Sequence, residues 1–126
     1  MNSIKLKPEI NELYTLNEFI LNELSQENLQ VNLIVEEIFV NIVNYSGTDY
    51  IIVEAEYEDS TLTLEFIDNG MEFNPLSMED PEPSENIEEA QIGGLGIFFA
   101  KELSDGLEYY YENGENHLII IKNGVS

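Results

Sequence analysis

Residues 36–47, EEIFVNIVNYSG, sit in a run that otherwise reads as a buried helix: LIV precedes them, and IFV and IV fall inside. On a wheel of about 100° per residue, Val31, Ile34, Val35, Ile38, Ile42 and Tyr45 form one apolar stripe. Asn32 and Glu36 fall on the far side. Glu37, Asn41 and Asn44 form a separate polar stripe, with Leu33 and Val40 on one side and Ile34 on the other. Glu37 and Asn41 are one turn apart, so their side chains are neighbours. A carboxylate among apolar groups is costly unless it is paired or turned toward a ligand. The stripe is therefore either the polar floor of a cleft or the wet side of a wide amphipathic helix.

Working outward, the helix spans about 28–45. Before it, Ile10, Leu13, Leu16, Ile20 and Leu24 recur every three or four residues, which predicts a helix over about 8–24 opened by Pro8. SQEN breaks that helix, with Ser25 at its cap, and residues 3–7 read as a short edge strand. After the central helix, Ile51, Val53, Ala55 and Tyr57 alternate with mostly polar residues, as do Leu62, Leu64 and Phe66. These are two strands of a hairpin turning at Glu58-Asp59-Ser60. Residues 72–90, with Pro75, Pro81 and Pro83 and no base, read as a long acidic loop with a short helix near 76–79. A helix over 95–104, stopped by Asp105-Gly106, leads to a second hairpin about Asn113-Gly114. The order β-α-α-β-β-loop-α-β-β predicts one α+β domain over 1–126: a two-layer sandwich, its sheet mixed but mostly antiparallel, with helices on one face.

The chain has 126 residues and 43% apolar content, enough for one domain with a real core. No apolar run is long enough to span a membrane, and the N-terminus has no apolar signal-peptide region. The absence of cysteine excludes disulfides and thiol chemistry and is compatible with the cytoplasm. Acids number 26 against 4 lysines, with no arginine, for a net charge of −22. Binding to a nucleic-acid backbone needs basic clusters, and an anionic membrane would repel this chain, so neither is expected as a direct partner. A basic protein partner is favoured, and solubility alone also accounts for the excess.

Two further motifs bear on the polar stripe. FIDNGMEFNP, residues 66–75, ends the second strand, and Asp68 shares the parity of Leu62, Leu64 and Phe66. It therefore points to the core side, where an acceptor-only carboxylate needs a donor. The exocyclic amine of a purine is one; an Asx-type turn that merely closes the strand is the plainer account. Gly70 lets the chain turn and lets a flat ring approach. IGGLGIFFAKELSD, residues 92–105, is a glycine-rich loop entering a helix, where backbone N–H groups make an anion site. It lacks the Gly-Lys-Ser/Thr of a Walker loop and the preceding strand of a dinucleotide fingerprint, and a flexible hinge is its alternative reading.

In this order the three motifs resemble the boxes of the GHKL ATPases: EEIFVN the N box, DNGMEFNP the first glycine box and GGLGI the second. The small size and the D-x-G-x-x-F-x-P and GGLGI forms are similar, more narrowly, to the bacterial anti-sigma-factor serine/threonine kinases. The resemblance covers nearly the whole chain. It implies Glu37 as the general base, Asn41 as the magnesium ligand bridging the ATP phosphates, and Asp68 as the adenine-reading carboxylate with Gly70 in its turn. It implies Gly93, Gly94, Leu95 and Gly96 as the phosphate cradle and residues 76–92 as the ATP lid. The implied cofactors are ATP and Mg2+. The implied activity is transfer of the γ-phosphate to a serine or threonine of a STAS-domain anti-anti-sigma protein, by a homodimer that also sequesters a sigma factor in the cytoplasm. A carboxylate base, a hard-metal oxygen ligand, a purine acceptor and an anion cradle are the parts phosphoryl transfer needs.

The sequence departs from this pattern at the lid. Relatives commonly carry an arginine just before the second glycine box; here the chain reads Glu88-Glu89-Ala90-Gln91. That departure supports an alternative, a nucleotide-sensing regulatory protein with weak or no kinase activity. Lys101, on the helix after the loop, either faces the phosphates or is a surface lysine. Tyr45, where some relatives carry histidine, reads as core, and His117 reads as structural.

Overall fold

The computed structural model describes residues 2–74 and 100–125. The acidic loop from 75 onward with its expected short helix, the lid over 76–92, the Gly93, Gly94, Leu95 and Gly96 cradle and the first part of the helix expected over 95–104 lie outside them.

The described chain runs β1 (Asn2–Leu6), a 3-10 turn (Ile10–Glu12), α1 (Leu13–Leu24), α2 (Leu29–Tyr45), β2 (Ile51–Glu58), β3 (Thr61–Asp68), a helical turn at 100–103, β4 (Gly106–Glu112) and β5 (Glu115–Lys122). The strands form one five-stranded sheet in the order β1-β2-β3-β5-β4. Every pairing among the described strands is antiparallel, where the sequence predicted a sheet mixed but mostly antiparallel. The chain leaves β3, enters β4 at the far edge and returns by a hairpin through β5, which lays β5 against β3 in the opposite sense.

Alternation decides which side of the sheet is covered. Ile51, Val53 and Ala55 of β2, Leu62, Leu64 and Phe66 of β3, and Leu118 and Ile120 of β5 are buried on one face. Against it lie Leu16, Ile20 and Leu24 of α1 and Val31, Ile34, Val35, Ile38 and Phe39 of α2. The apolar stripe of α2 thus includes Phe39, fully buried, and does not include Tyr45, which is 43% exposed. Tyr45 is the last residue of the helix and lies past the edge of the core, so the core reading fails there.

The termini of the elements follow local chemistry. Asn28 caps α2, its Oδ1 accepting from the Val31 N–H at 3.0 Å. Ser25 ends α1 in the left-handed region at φ 68°. Both hairpins turn on paired positive-φ residues, Asp59-Ser60 and Asn113-Gly114, the geometry whose twist matches that of the flanking strands. Two expectations shift. The helix read from residue 8 starts at Leu13, behind Pro8 and the 3-10 turn. Gly106 is no helix stop; it opens β4, and the Asp105 N–H already bonds the Ile121 carbonyl at 2.8 Å.

Candidate functional site

The inner face of the sheet is apolar until its last row. There Asp68 of β3 stands opposite Asn116 of β5, and both are buried, at 5% and 6% exposure. Asp68 Oδ1 accepts from the Gly70 N–H at 2.9 Å and from Asn116 Nδ2 at 3.1 Å. The first of these bonds is the Asx-type turn that the Asp-Asn-Gly sequence suggests. The turn and the inward carboxylate are therefore features of one arrangement. Burial pushes the Asp68 carboxyl above the ordinary carboxylate value, against the pull of the Gly70 N–H and the Asn116 amide.

Asn116 holds this corner together. Its Nδ2 also donates to the Met71 carbonyl at 2.9 Å, and its Oδ1 accepts from the Phe73 N–H at 3.1 Å and from the Tyr109 hydroxyl. With donors on one side and acceptors on the other, the amide has a single workable orientation. The chain from 70 to 73 is thereby tied to β5. Sequence reasoning missed Asn116, although a signal was present: it shares the parity of the buried Leu118 and Ile120.

The same turn is locked to the end of α2. The Met71 N–H bonds the Ser46 carbonyl at 3.0 Å. A Cβ built on Gly70 would lie 2.3 Å from that carbonyl oxygen. The glycine is thus required by the backbone of Ser46, a reason for it that the sequence did not show. Ser46 itself caps the helix, its hydroxyl donating to the Ile42 carbonyl at 2.8 Å. Beside it the Asn69 N–H donates to the buried Thr48 hydroxyl at 2.9 Å, and Asn69 Oδ1 accepts the Asp49 N–H at 2.8 Å. Asn69 and Thr48 are thus a second, unforeseen clasp between the strand end and the helix end.

Glu37 and Asn41 lie on α2 behind this clasp, both half-buried, and Asn44 is exposed. Neither the Glu37 nor the Asn41 side chain hydrogen-bonds another described residue. From Asn41 to Ser46 the helix rises about 7 Å, so the polar stripe runs up to the corner that holds Asp68. The structure thus places Asp68 and Gly70 together, with Glu37 and Asn41 on the adjoining helix; Gly93, Gly94, Leu95 and Gly96 lie outside the described residues. Lys101 is half-buried on the helical turn. His117 faces the other side of the sheet, 2.7 Å from Glu65 and stacked at 4.3 Å on Tyr110, in keeping with a structural role. Among the described residues no group of three or more histidines and carboxylates gathers to hold a metal.

The donor set fits a nucleotide with magnesium. Both bonds to Asp68 go to Oδ1, and a carboxylate carries a second acceptor oxygen for an amino group. Asn41 offers an amide oxygen, a hard-cation ligand that needs phosphates and water to complete its shell.

A helix-backed antiparallel sheet with a buried aspartate closing its central strand is the ground plan of a GHKL-type ATPase domain. The chain belongs to the histidine kinase-like ATPase domain family, whose pattern it matches over residues 14–122. The fold is similar to that of the histidine kinase AdeS of Acinetobacter baumannii, with a TM-score of 0.53 at 12% identity, over 100% of this chain and 69% of that one. No curated protein matches. None of the described helices is long and apolar enough to cross a membrane.

Proposed function

We propose that this ATPase domain is an Mg-ATP-dependent protein serine/threonine kinase of the anti-sigma type, acting on a STAS-domain anti-anti-sigma protein and sequestering a sigma factor as a homodimer. The observation that carries the nucleotide part is the Asp68 corner: a buried carboxylate with one oxygen fixed by Gly70 and Asn116. The kinase subtype rests on the D-x-G-x-x-F-x-P and GGLGI motifs.

In this reading Asp68 takes the exocyclic amine of adenine, and the Asn116 clasp holds it ready. Asn41 ligates the metal and Glu37 orients the substrate hydroxyl and accepts its proton. The bond from the γ-phosphorus to the β–γ bridging oxygen breaks as the bond to the serine or threonine oxygen forms. Magnesium, when bound, supplies charge neutralisation at the phosphates. Gly93, Gly94, Leu95 and Gly96 cradle those phosphates through backbone N–H groups.

A second reading has a specific feature in its favour. The chain has no arginine to steady the γ-phosphate, and such groups contribute roughly 3 kcal/mol to a transition state. A nucleotide-sensing regulator would bind ATP and its partner without transfer.

Thermal unfolding with Mg-ATP, Mg-ADP, and ATP plus chelator comes first, followed by incubation with a STAS-domain protein and detection of phosphoserine or phosphothreonine. Ligand at about 100 times its dissociation constant stabilises by about 2.7 kcal/mol. A shift with ATP and transfer abolished by Glu37→Ala supports the kinase. A shift without transfer selects the sensor, and no shift with any nucleotide removes both.

A further inference from the structure

Away from the Asp68 corner, α1 and the start of α2 enclose a cleft of about 270 Å³. Tyr14, Asn17, Glu18 and Leu21 line it from α1, and Glu27 and Asn32 from the other wall. The α1 residues are three or four apart and share one side of the helix. Leu29 precedes Asn32 by three and extends the same side of α2. Three of these apolar side chains lie open: Tyr14 at 79%, Leu29 at 81% and Leu21 at 40% exposure. Asn17 Oδ1 is buried without a hydrogen-bond partner, one of two such side-chain atoms among the described residues.

The charged side chains that line this cleft, Glu18 and Glu27, are both acidic. No basic residue occurs between Lys7 and Lys101, while α1, α2 and their link carry Glu18, Glu23, Glu27, Glu36 and Glu37. A second copy docked cleft to cleft would set Glu18 and Glu27 against like charges, so the homodimer proposed above is built on another face.

We infer that the α1/α2 cleft docks a basic, amphipathic helix of a partner protein. The apolar side of that helix covers Tyr14, Leu21 and Leu29, and its lysines or arginines meet Glu18 and Glu27. This is the helix-in-groove mode of recognition, with Asn17 Oδ1 as an acceptor for an incoming N–H. The surface shares no residue with Asp68, Glu37 or Asn41, so docking and nucleotide binding are separable.

The test is the fluorescence anisotropy of a labelled peptide of leucine and lysine at helical spacing, titrated with the full chain. Binding is expected, weakening as salt rises. Glu18→Lys with Glu27→Lys should lower affinity by at least about tenfold, or about 1.4 kcal/mol. Tyr14→Ser and Leu29→Ser, both at open positions, should each weaken it as well. Glu54→Lys with Glu56→Lys, on the uncovered face of the sheet, makes the same change in net charge and should leave affinity unchanged; thermal unfolding confirms that each variant folds. Equal weakening by the two charge reversals would show unspecific attraction and overturn the inference. Displacement of the peptide by spermine at equal concentration would make the cleft a small-cation site and overturn it too. So would self-association lost in Tyr14→Ser, or no peptide binding at all.

Discussion

At the scale of single residues, Asp68 sets stability against function. Its carboxyl is shifted upward by burial, so the neutral form is the one the fold prefers. A raised folded-state value means that its contribution is fully present below the unfolded-state value and is lost as pH rises through the folded-state one. In its ionised form the carboxylate is therefore a cost to the fold. Asp68→Asn keeps an acceptor for the Gly70 N–H and the Asn116 amide and removes that charge. The variant is expected to unfold at the same temperature as the parent or higher, with its advantage growing from acid to neutral pH, and to lose the Mg-ATP shift. Melts across that pH range, with and without nucleotide, check both halves; a variant destabilised at neutral pH contradicts the assignment. Gly70→Ala fails differently. Its Cβ meets a backbone oxygen at 2.3 Å, so the strand end or the helix end must move, at a cost of about 1–3 kcal/mol. Denaturant unfolding should show a lowered midpoint with an unchanged slope. Asp68 was legible from parity alone. The reason for Gly70 was not, because Ser46 lies far from it in sequence and only the fold brings the two together.

At the scale of elements, period and punctuation carried most of the information. Both hairpins, the Asn28 start of α2 and the Ser25 break follow from residue types whose backbone preferences are strong. What escaped was set by neighbours. Pro8 predicts a helix start, yet the chain spends a 3-10 turn before α1 begins. Gly106 has the composition of a helix stop, yet pairing with Ile121 takes it into β4. Two substitutions separate local from tertiary support. Asn28→Ala removes only the bond to the Val31 N–H, and should cost about 1 kcal/mol, with the nucleotide shift intact. Asn116→Leu leaves the Phe73 N–H and the Met71 carbonyl without their partner and slackens the hold on Asp68. It should cost roughly 2–3 kcal/mol and weaken nucleotide binding as well. Parallel melts with and without Mg-ATP distinguish the two; a normal shift in Asn116→Leu would reduce that residue to scaffolding.

At the scale of the whole molecule, the net charge of −22 acts on both folding and ligand. Acids are spread over α1, α2 and the outer side of the sheet, where Glu54 and Glu65 face each other across β2 and β3. Like charges directly opposite are destabilising, and compaction brings the remainder closer together. A monovalent salt shortens the reach of these repulsions to about 8 Å near physiological strength and further above it. The chain should therefore unfold at a higher temperature as salt rises, each 1 kcal/mol appearing as about 4 °C or more for this size. The nucleotide follows the same field. ATP is itself an anion, and at constant magnesium its approach to this surface is opposed at low salt. Its dissociation constant should fall roughly two- to fivefold as potassium chloride rises from low to physiological strength, the reverse of what a basic phosphate site shows. Calorimetric titration at fixed free Mg2+ measures this directly. Affinity that instead weakens with salt would mean that a nearby cation governs the phosphates over the long-range field; Lys101→Gln, repeated in the same titration, would show whether that cation is Lys101.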